Sequence, residues 1–549
     1  MTAYARFSLL FLSLFFTAPL FAEDMETASA ETVISDIAEE KTLQDYLAEL
    51  TEAGFREKEE LVLKVVETDE PETLPVMQAL LEGDLYYVKD GNTLVYKTSG
   101  DPVTVFGGET MTGLGSRDIK KISVNNSLRT LLRAQISRVE LFSKNPQTRK
   151  TAAINLLKSA DELDPALLDE ALSQEADAGI KEILLLVEGI RQLESDDSAV
   201  RLEGITALTG SLYPEVRGAL SNFANRAEAD GNGKELAAAE AALSKINAML
   251  RFNSIFENLY FGLALGAVLL LAAIGLAITF GVMGVINMAH GEMIMLGAYT
   301  TYVVQQLMPA NPGASLIVSI PAAFLVAGLV GVAIERGIIR HLYGRPLETL
   351  LATFGLSLIL QQAVRSIFGP LNRSVVTPEW MAGTFEVNPA LALTYNRLYI
   401  IIFSLLVLAM LALVLKRTLF GLQMRAVTMN RPMASSMGIR TGWVDALTFG
   451  LGSGIAGIAG VALSQLTNVG PNMGQSYIID SFMVVVFGGV GNLWGTLVGA
   501  MSLGVVNKIL EPWAGAVVAK ILVLVFIILF IQKRPRGLFA LKGRSVDMG

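Results

Sequence analysis

The sequence predicts an all-α protein with a mostly helical exported domain followed by a polytopic helical membrane domain. Residues 23–250 are strongly acidic, with a net charge of −19. Residues 251–549 carry a net charge of +9 and hold the long apolar runs of a chain that is 52% hydrophobic overall. Such a division separates a soluble part from a membrane part. We place the boundary near Arg251, with a membrane domain over residues 251–540 and a cytoplasmic tail over residues 541–549.

Residues 1–22 have the features of a secretory signal peptide. Arg6 provides the positive start, Phe7 to Phe16 form the apolar core, and Ala22 ends a plausible cleavage site. Leu20, at the −3 position of this cleavage site, is unfavourable for signal-peptide cleavage. An uncleaved membrane anchor is therefore the alternative. In either case, residues 23–250 are expected to be exported.

The exported domain reads as helical, because residues 42–66 and 124–142 have apolar positions at helical spacing. Residues 85–88 and 93–96 flank Asp90-Gly91-Asn92, which predicts a β-hairpin. Residues 152–172 and 201–220 each run from a helix through a proline turn into a second helix. This pattern fits HEAT-type helical repeats or a plain helical bundle. The acidic residues are spread along helix surfaces, which is typical of solvated faces rather than of a catalytic cluster.

From residue 258 the apolar runs are long enough to cross a bilayer, and eight or nine spans are expected. Basic residues cluster in three connections, at residues 336–345, 416–440 and 533–544, and the positive-inside rule places them in the cytoplasm. That placement requires the block 479–510 either to cross the membrane twice or to form a re-entrant segment. The candidate spans are residues 258–285, 288–308, 315–335, 348–369, 398–415, 444–467, 479–510 and 514–532.

Two glycine-rich segments interrupt the apolar runs and are the candidate lining of a substrate path. In the first, Asn287, His290 and Glu292 lie within six positions among four glycines. Ionisable groups at bilayer depth are costly and therefore point to function. The alternative is that these side chains only satisfy backbone groups freed at a helix break. Two broken helices in corresponding positions of a membrane domain indicate a transport site near the midplane.

The second segment is Phe487 to Gly499. The backbone conformation, rather than the solute, is expected to require its glycines. Its tryptophan either lines the path or is an interfacial anchor. The candidate residues here are Gly488, Gly489, Gly491, Asn492 and Trp494. Most other intramembrane polar groups lie near span ends, where extension toward the interface accounts for them. The full set of other intramembrane polar groups is Gln361, Gln362, Arg365, Asp445, Asp480, Lys508 and Lys520.

The membrane domain resembles the permease family of ATP-binding-cassette transporters that serves branched-chain amino acids and urea. The resemblance rests on residues 275–299, Ala333 to Arg336, Arg345 to Leu347, Leu351 to Ser357 and Val486 to Gly491, and it covers nearly all of residues 258–540. An exported extension ahead of such a permease is similar to the urea-specific branch. The resemblance therefore implies a urea importer in the bacterial inner membrane, with its N-terminal domain in the periplasm. A branched-chain amino acid or other small amide is the alternative solute.

The same resemblance implies partners. These are separate ATPase subunits, a second related permease subunit and a periplasmic solute-binding protein. The basic loop at residues 416–443 would dock on the ATPase through a short helix ended by glycine. The family's acidic position is occupied by Met429 or Asn430 here, and an ordinary cytoplasmic loop is the alternative. The candidate coupling residues are Arg425, Met433, Ala434, Gly438 and Arg440.

Several chemistries are excluded or disfavoured by composition. The chain has no cysteine and only two histidines, so a disulfide or a thiolate nucleophile is excluded and a histidine-rich metal centre is disfavoured. The pattern G-x-x-x-x-G-K-[ST] does not occur, and Gly231 to Glu235 is only a poor approximation to it. We therefore expect a transport subunit rather than an enzyme, with no cofactor of its own and with ATP hydrolysed by partners. A passive channel for a small neutral solute is the alternative of a different class.

Overall fold

A computed structural model describes residues 41–68, 70–89, 92–97, 102–111, 118–158, 160 and 164–539. The predicted signal peptide and the predicted tail at residues 541–549 lie outside the described residues. The chain divides into two compact units, Met1–Ala152 and Ala153–Gly549. Each unit is described by itself.

The first unit packs helices around a small antiparallel sheet. Residues 42–66, predicted as one helix, form two, because the chain becomes extended at Ala53 and Gly54. The hairpin predicted around Asp90-Gly91-Asn92 is confirmed, with Tyr86 paired to Val95. Two further strands, of two and three residues, complete the sheet and are too short to leave a pattern in the sequence. The elements are α1 (Leu43–Glu52), α2 (Phe55–Glu67), α3 (Thr73–Glu82), β1 (Leu85–Val88), β2 (Leu94–Tyr96), β3 (Val103–Thr104), β4 (Ile119–Lys121) and α4 (Asn126–Leu141).

Helical hairpins lead from the division point toward the membrane part. Pro165 and Pro214 each occupy the first turn of a helix, where a missing backbone N–H costs nothing. The side chain of Glu235 accepts hydrogen bonds from Arg201 and Ser198, which fastens the following long helix to its neighbour. The helices are α5 (Pro146–Leu156), which contains the division point, α6 (Pro165–Gln174), α7 (Ala178–Gln192), α8 (Ser198–Leu208) and α9 (Pro214–Ala229).

Helix α10 (Gly233–Met283) is continuous over 51 residues. It joins the hairpins to the apolar region without a break, and the predicted boundary near Arg251 lies within it. Six helices among the described residues, α10 included, are long and apolar enough to span a membrane. The predicted fold class, a polytopic helical membrane protein, is confirmed.

The remaining elements alternate long apolar helices with short connections. Pro512 and the non-helical Gly515 divide α19 into two parts, which correspond to the end of predicted block 479–510 and to predicted span 514–532. The elements are α11 (His290–Leu307), α12 (Pro312–Gly337), α13 (Pro346–Phe368), β5 (Thr384–Asn388), β6 (Leu391–Thr394), α14 (Tyr395–Arg417), α15 (Leu419–Met429), α16 (Arg431–Ser436), α17 (Thr441–Ser464), α18 (Met473–Gly488) and α19 (Leu493–Lys533).

Glycines bring the inner helices into backbone contact. A Cβ added at Gly297 on α11 would overlap the carbonyl of Gly457 on α17. One added at Gly452 would lie 2.7 Å from the carbonyl oxygen of Gly275 on α10. Small residues of this kind allow membrane helices to approach closely, where van der Waals packing drives association. Helices α10 and α17 are consequently the innermost, while α12, α13, α14 and α19 leave most of their apolar windows exposed.

Candidate substrate path and coupling loop

The first predicted break is present between α10 and α11. Helix α10 ends at Met283, and Gly284 follows in the left-handed conformation at φ 68°. The Asn287 Oδ1 atom accepts a hydrogen bond of 3.0 Å from the backbone N–H of Ala289, which shapes the turn that starts α11. Asn287 is 1% exposed. Its side chain therefore organises the break from within the protein.

His290 anchors the start of α11 deep inside the bundle. Its Nε2 atom forms a 2.8 Å hydrogen bond with the carbonyl oxygen of Ala272, and its side chain is fully buried. Ala272 precedes the end of α10 by three turns, or roughly 16 Å at 1.5 Å per residue. The segment between the helices therefore runs back along α10, and α11 begins within the bundle rather than at its end.

Glu292 fastens α13 to α11. Its Oε1 atom accepts hydrogen bonds from Ser357 Oγ at 2.9 Å and from Gln361 Nε2 at 2.8 Å. Glu292 is 1% exposed and Gln361 is 5% exposed. Gln361 is therefore not one of the polar groups that extend toward the interface, because its amide is used inside the protein to satisfy a buried carboxyl group.

Sequence reasoning missed this pairing, although the sequence contained a signal for it. Thr353, Ser357 and Gln361 recur every fourth residue, which places them on one face of α13. All three are buried, and Thr353 Oγ1 accepts a 3.2 Å hydrogen bond from the backbone N–H of Met288. A polar stripe on an apolar helix predicts a polar partner on its neighbour.

The second predicted break is present between α18 and α19. Gly489 and Gly491 have φ values of 106° and 80°, which other residues rarely adopt. Asn492 caps α19, since its Oδ1 atom accepts hydrogen bonds from the N–H groups of Trp494 at 3.0 Å and Gly495 at 3.3 Å. A Cβ at Gly488 would overlap the carbonyl of Gly495. These groups hold a sharp turn, as the sequence suggested for the glycines.

The two breaks lie against each other. A Cβ added at Gly281, near the end of α10, would lie 2.5 Å from the Cα atom of Gly491. The chain after α19 covers the second break, because the N–H groups of Leu538 and Phe539 donate to the carbonyls of Phe487 and Gly488 at 2.9 and 3.2 Å. Trp494 points outward and is 62% exposed.

The predicted coupling loop forms two short helices. Asn430 caps α16, and its Oδ1 atom accepts from the N–H of Met433 at 3.0 Å. The helix ends at Ser436, and Gly438 follows at φ 86°, as the glycine-terminated pattern predicted. Pro432 fits within the first turn. Ala434 is 5% exposed and faces its own chain, whereas Met433 is 59% exposed.

The loop is tied back to its own helices at both ends. At the first end, the Arg425 guanidinium donates to the carbonyl of Leu415 at the end of α14. The Ile439 N–H donates to the carbonyl of Ala434 at 3.1 Å, which closes the turn after α16. Arg440 is the residue before α17, and its carbonyl accepts from the N–H of Trp443 at 2.9 Å.

A charged cluster joins the loop to α12 and α17. Arg431 of α16 forms an ion pair with Asp445 of α17, whose side chain is fully buried. The Arg431 guanidinium also lies 4.7 Å from the centre of the Tyr343 ring. The Tyr343 hydroxyl donates to Glu335 Oε1 at 3.0 Å. Asp445 is thus an internal ion-pair partner, and the prediction of a residue that extends toward the interface is wrong for it.

Electrostatics keep the Tyr343 hydroxyl of this cluster protonated. Burial and the neighbouring Asp445 and Glu335 carboxylates raise the pKa of Tyr343, so its hydroxyl keeps its proton and remains a donor. On the other side of the cluster, the Arg336 guanidinium lies 4.1 Å from the centre of the Trp443 ring. Helix α16 is therefore connected to two membrane helices through directed polar contacts.

The described residues contain no group of three or more histidine, cysteine or acidic side chains placed to hold a metal ion. An apolar cavity of about 280 Å³ lies between α12 and α17, lined by residues that include Phe324, Leu329, Phe420 and Leu451. None of the predicted path residues lines it. Asn287, His290 and Glu292 are themselves enclosed by protein, so contact with a solute would require the breaks to open.

We expect Glu292→Gln to keep nearly normal solute affinity and uptake. The glutamine Oε1 atom can accept both hydrogen bonds now made to Glu292, so α13 stays attached. Glu292→Ala should instead lower the melting temperature, since it leaves the Ser357 and Gln361 donors unpaired at about 1–3 kcal/mol. Uptake kinetics and the thermal stability of the purified protein measure both effects. A large loss of affinity in Glu292→Gln alone would show that the charge contacts the solute.

Comparison with known proteins connects this geometry to a function. A family model described as the branched-chain amino acid transport system / permease component matches residues 258–531. The high-affinity branched-chain amino acid transport system permease protein LivH of Escherichia coli is 29% identical over 299 residues, covering 52% of this chain and 96% of LivH. The corresponding protein BraD of Pseudomonas aeruginosa is 29% identical over 292 residues, covering 51% and 94%.

A more distant likeness covers a smaller share of the chain. The ribose import permease protein RbsC of Bacillus subtilis is 29% identical over 133 residues, covering 23% of this chain and 38% of RbsC. No solved structure matches the chain. The LivH and BraD alignments span nearly all of those proteins and leave about half of this chain unmatched.

Proposed function

Residues 258–531 belong to the permease-component family of branched-chain amino acid transport systems, and we propose from this membership that the chain is the membrane-spanning subunit of an ATP-driven importer. The observation that carries the proposal is the loop of α15 and α16, which combines an exposed apolar surface with a fixed connection to α12 and α17. A passive channel has no need of such a device. Energy from a separate ATPase would enter through it.

Three methionines near α16 are exposed apolar side chains of the loop. Met429, Met433 and Met437 are spaced four residues apart and are 88%, 59% and 74% exposed. Methionine side chains are flexible and polarizable, and they are common on surfaces that bind a partner. We name Met429, Met433 and Met437 the methionine stripe and propose that it enters a groove on the ATPase.

In the proposed mechanism, closure of two ATPase subunits on ATP displaces α16. The Arg431–Asp445 ion pair carries that displacement to α17, and Tyr343 carries it to α12. Because α17 packs on α10 and α11 through glycine contacts, the movement reaches both helix breaks. Rearrangement of the two breaks would then expose the path alternately to each side of the membrane.

The solute we propose is a branched-chain amino acid, because the similar permeases LivH and BraD carry that description. Urea is the second candidate. It is favoured by one observation: the LivH and BraD alignments leave the part of this chain ahead of residue 258 without a counterpart in those permeases. The relatives favour the amino acid over urea, and we rank the candidates in that order.

We further propose the arrangement that such an importer requires. The chain would lie in the bacterial inner membrane with residues 23–250 in the periplasm, beside a second, related permease subunit. A periplasmic binding protein would deliver the solute. The loops at residues 336–345, 416–440 and 533–544 would face the cytoplasm, since they hold most of the basic residues of the membrane part.

We expect Met433→Glu to abolish association with the ATPase, because a carboxylate would have to be desolvated in an apolar groove. Met433→Leu, which keeps an apolar side chain, is the matched control and should retain association. Co-purification of the ATPase with the permease measures the effect, and membrane insertion should be unchanged in both variants. Normal association of the glutamate variant would remove the methionine stripe from the interface.

Competition identifies the solute. Cells with and without this gene are given labelled leucine or labelled urea at low micromolar concentration, with the other compound in excess. We expect leucine uptake to depend on the gene and to be insensitive to urea. Gene-dependent urea uptake that leucine does not inhibit would replace the first candidate with the second.

A further inference from the structure

Polar side chains that are not buried in this subunit lie at the end of α13 and at the start of α18. On α13, Gln362 and Ser366 lie one turn apart on the exposed side, and Arg365 continues the stripe of Thr353, Ser357 and Gln361 toward the end of the helix. On α18, the positions are the residue before the helix and its first turn. The set is Gln362, Arg365, Ser366, Asn472, Gln475 and Ser476, and none of them is buried. We name it the polar face.

Depth distinguishes the α18 part of this face from side chains that reach the headgroups. A Cβ at Gly291 would lie 2.8 Å from the carbonyl carbon of Gly474, and the adjacent Glu292 bonds to Gln361. Gln361 precedes the end of α13 by seven residues, or roughly 10 Å. The first turn of α18 therefore begins well below that end, and Gln475 there is too short to extend to the interface.

Arg365 and Asn472 hold the two helices of the polar face together. An Arg365 Nη2–H group donates to Asn472 Oδ1 at 2.6 Å. Among the described residues, no carboxylate lies within ion-pair distance of Arg365. Arg365 interacts electrostatically with the buried Glu292 but forms no ion pair with it. Its identified hydrogen-bond partner is a neutral amide, so its remaining N–H groups can bind an anion, and its planar fork suits a carboxylate.

The same face becomes apolar below its polar end. Ile479 and Phe482 continue the outward side of α18 and are 57% and 38% exposed. Leu358 and Phe354 continue that of α13 and are 47% and 45% exposed. A polar end with a free guanidinium and an apolar continuation match a small amphiphile that has a carboxylate and an aliphatic side chain.

We propose that the polar face is the substrate-contacting wall of the path, with Arg365 binding the carboxylate of an aliphatic amino acid. This proposal rests on the proposed import function, and it places the solute against the polar face rather than at the two helix breaks. The solute would pass along the outside of α13 and α18, while Asn287, His290 and Glu292 brace the wall from behind. Exposed polar side chains at membrane depth are tolerated where they line a water-filled path.

Cysteine accessibility tests the location without relying on transport. The chain has no cysteine of its own, so single substitutions can be labelled without background in this subunit. In membranes that contain the full chain with its partner subunits, Gln362→Cys and Gln475→Cys should react with a membrane-impermeant maleimide at least tenfold faster than Leu406→Cys. Leu406 is an exposed apolar residue midway along α14. Excess leucine should slow labelling of the two path positions only. Labelling as slow as at Leu406, or unaffected by leucine, would overturn the proposal.

Arg365→Gln tests the ligand chemistry. We expect the maximal rate of leucine uptake to fall at least tenfold, while the half-saturating leucine concentration, which the binding protein sets, changes less than twofold. Arg397→Gln removes an arginine that stacks on Phe261 elsewhere in the subunit and should behave as wild type. Wild-type kinetics in Arg365→Gln would overturn the assignment of Arg365. Absence of ATP-dependent uptake in the wild type is a different result, which would overturn the proposed import function instead.

Discussion

A Gly297→Val variant is expected to lose the folded membrane domain. Helices α11 and α17 meet with backbone against backbone at this point, and a Cβ at residue 297 would overlap the Gly457 carbonyl. Backbone cannot swing aside as a flexible side chain can, so the helices must separate. Overpacking commonly costs about 1–3 kcal/mol even where side chains can adjust. We expect more than about 3 kcal/mol here, measured as a large fall in melting temperature and in yield of monodisperse protein.

Gly355→Val is the matched control for that substitution. Gly355 also lies within a membrane helix, and a Cβ there would meet nothing within 4 Å. Its stability should match that of the wild type, because valine has a helix propensity at least as good as that of glycine. Equal stability of Gly297→Val and Gly355→Val would contradict the close contact between α11 and α17, which fixes the position of α11 after the first break.

The second large effect is expected from Asp445→Asn. This change removes the charge that holds Arg431, and with it the directed contact between α16 and α17. Loss of one member of a buried ion pair is strongly destabilising. Here Arg431 is 42% exposed and can turn into water. We therefore expect a moderate loss of stability, a loss of uptake of at least tenfold, and normal association with the ATPase.

Arg345→Gln provides the control for the charge change. Arg345 pairs with Glu348 at 3.0 Å, and both side chains are more than half exposed. Arg345 belongs to the loop at residues 336–345, which we also propose to face the cytoplasm. An exposed pair contributes about 0–1 kcal/mol, so uptake should be close to normal. The Arg431→Gln/Asp445→Asn double variant should be no worse than either single variant, because both remove one interaction. Additive losses would show that the two residues act separately.

The features that the sequence predicted well are those that a local pattern determines. Apolar runs located the six helices of the described residues that are long and apolar enough to span a membrane, and clustered glycines located both breaks and the end of α16. The hairpin signal at residues 90–92 located β1 and β2. Each of these depends on the conformational preference of a few neighbouring residues, so a single sequence is sufficient.

The features that it missed depend on contacts between distant segments. Gln361 and Asp445 were assigned to span ends because position along a helix says nothing about which side faces a neighbour. Their partners, Glu292 and Arg431, are 69 and 14 residues away. The long helix 42–66 was predicted whole because the extended turn at Ala53 and Gly54 is only two residues long. The polar face was hidden for the same reason, since exposure is a property of the assembled bundle.

Uptake by the reconstituted transporter is the most direct test of the central claim, that this subunit couples a partner's ATP hydrolysis to solute import. Proteoliposomes that contain the chain with its ATPase and permease partners are supplied with binding protein and labelled leucine, with ATP or a non-hydrolysable analogue on the ATPase side. We predict concentrative uptake with ATP, none with the analogue, and none when the Asp445→Asn chain replaces the wild type. Uptake that proceeds equally with the analogue would contradict the claim and identify a passive channel.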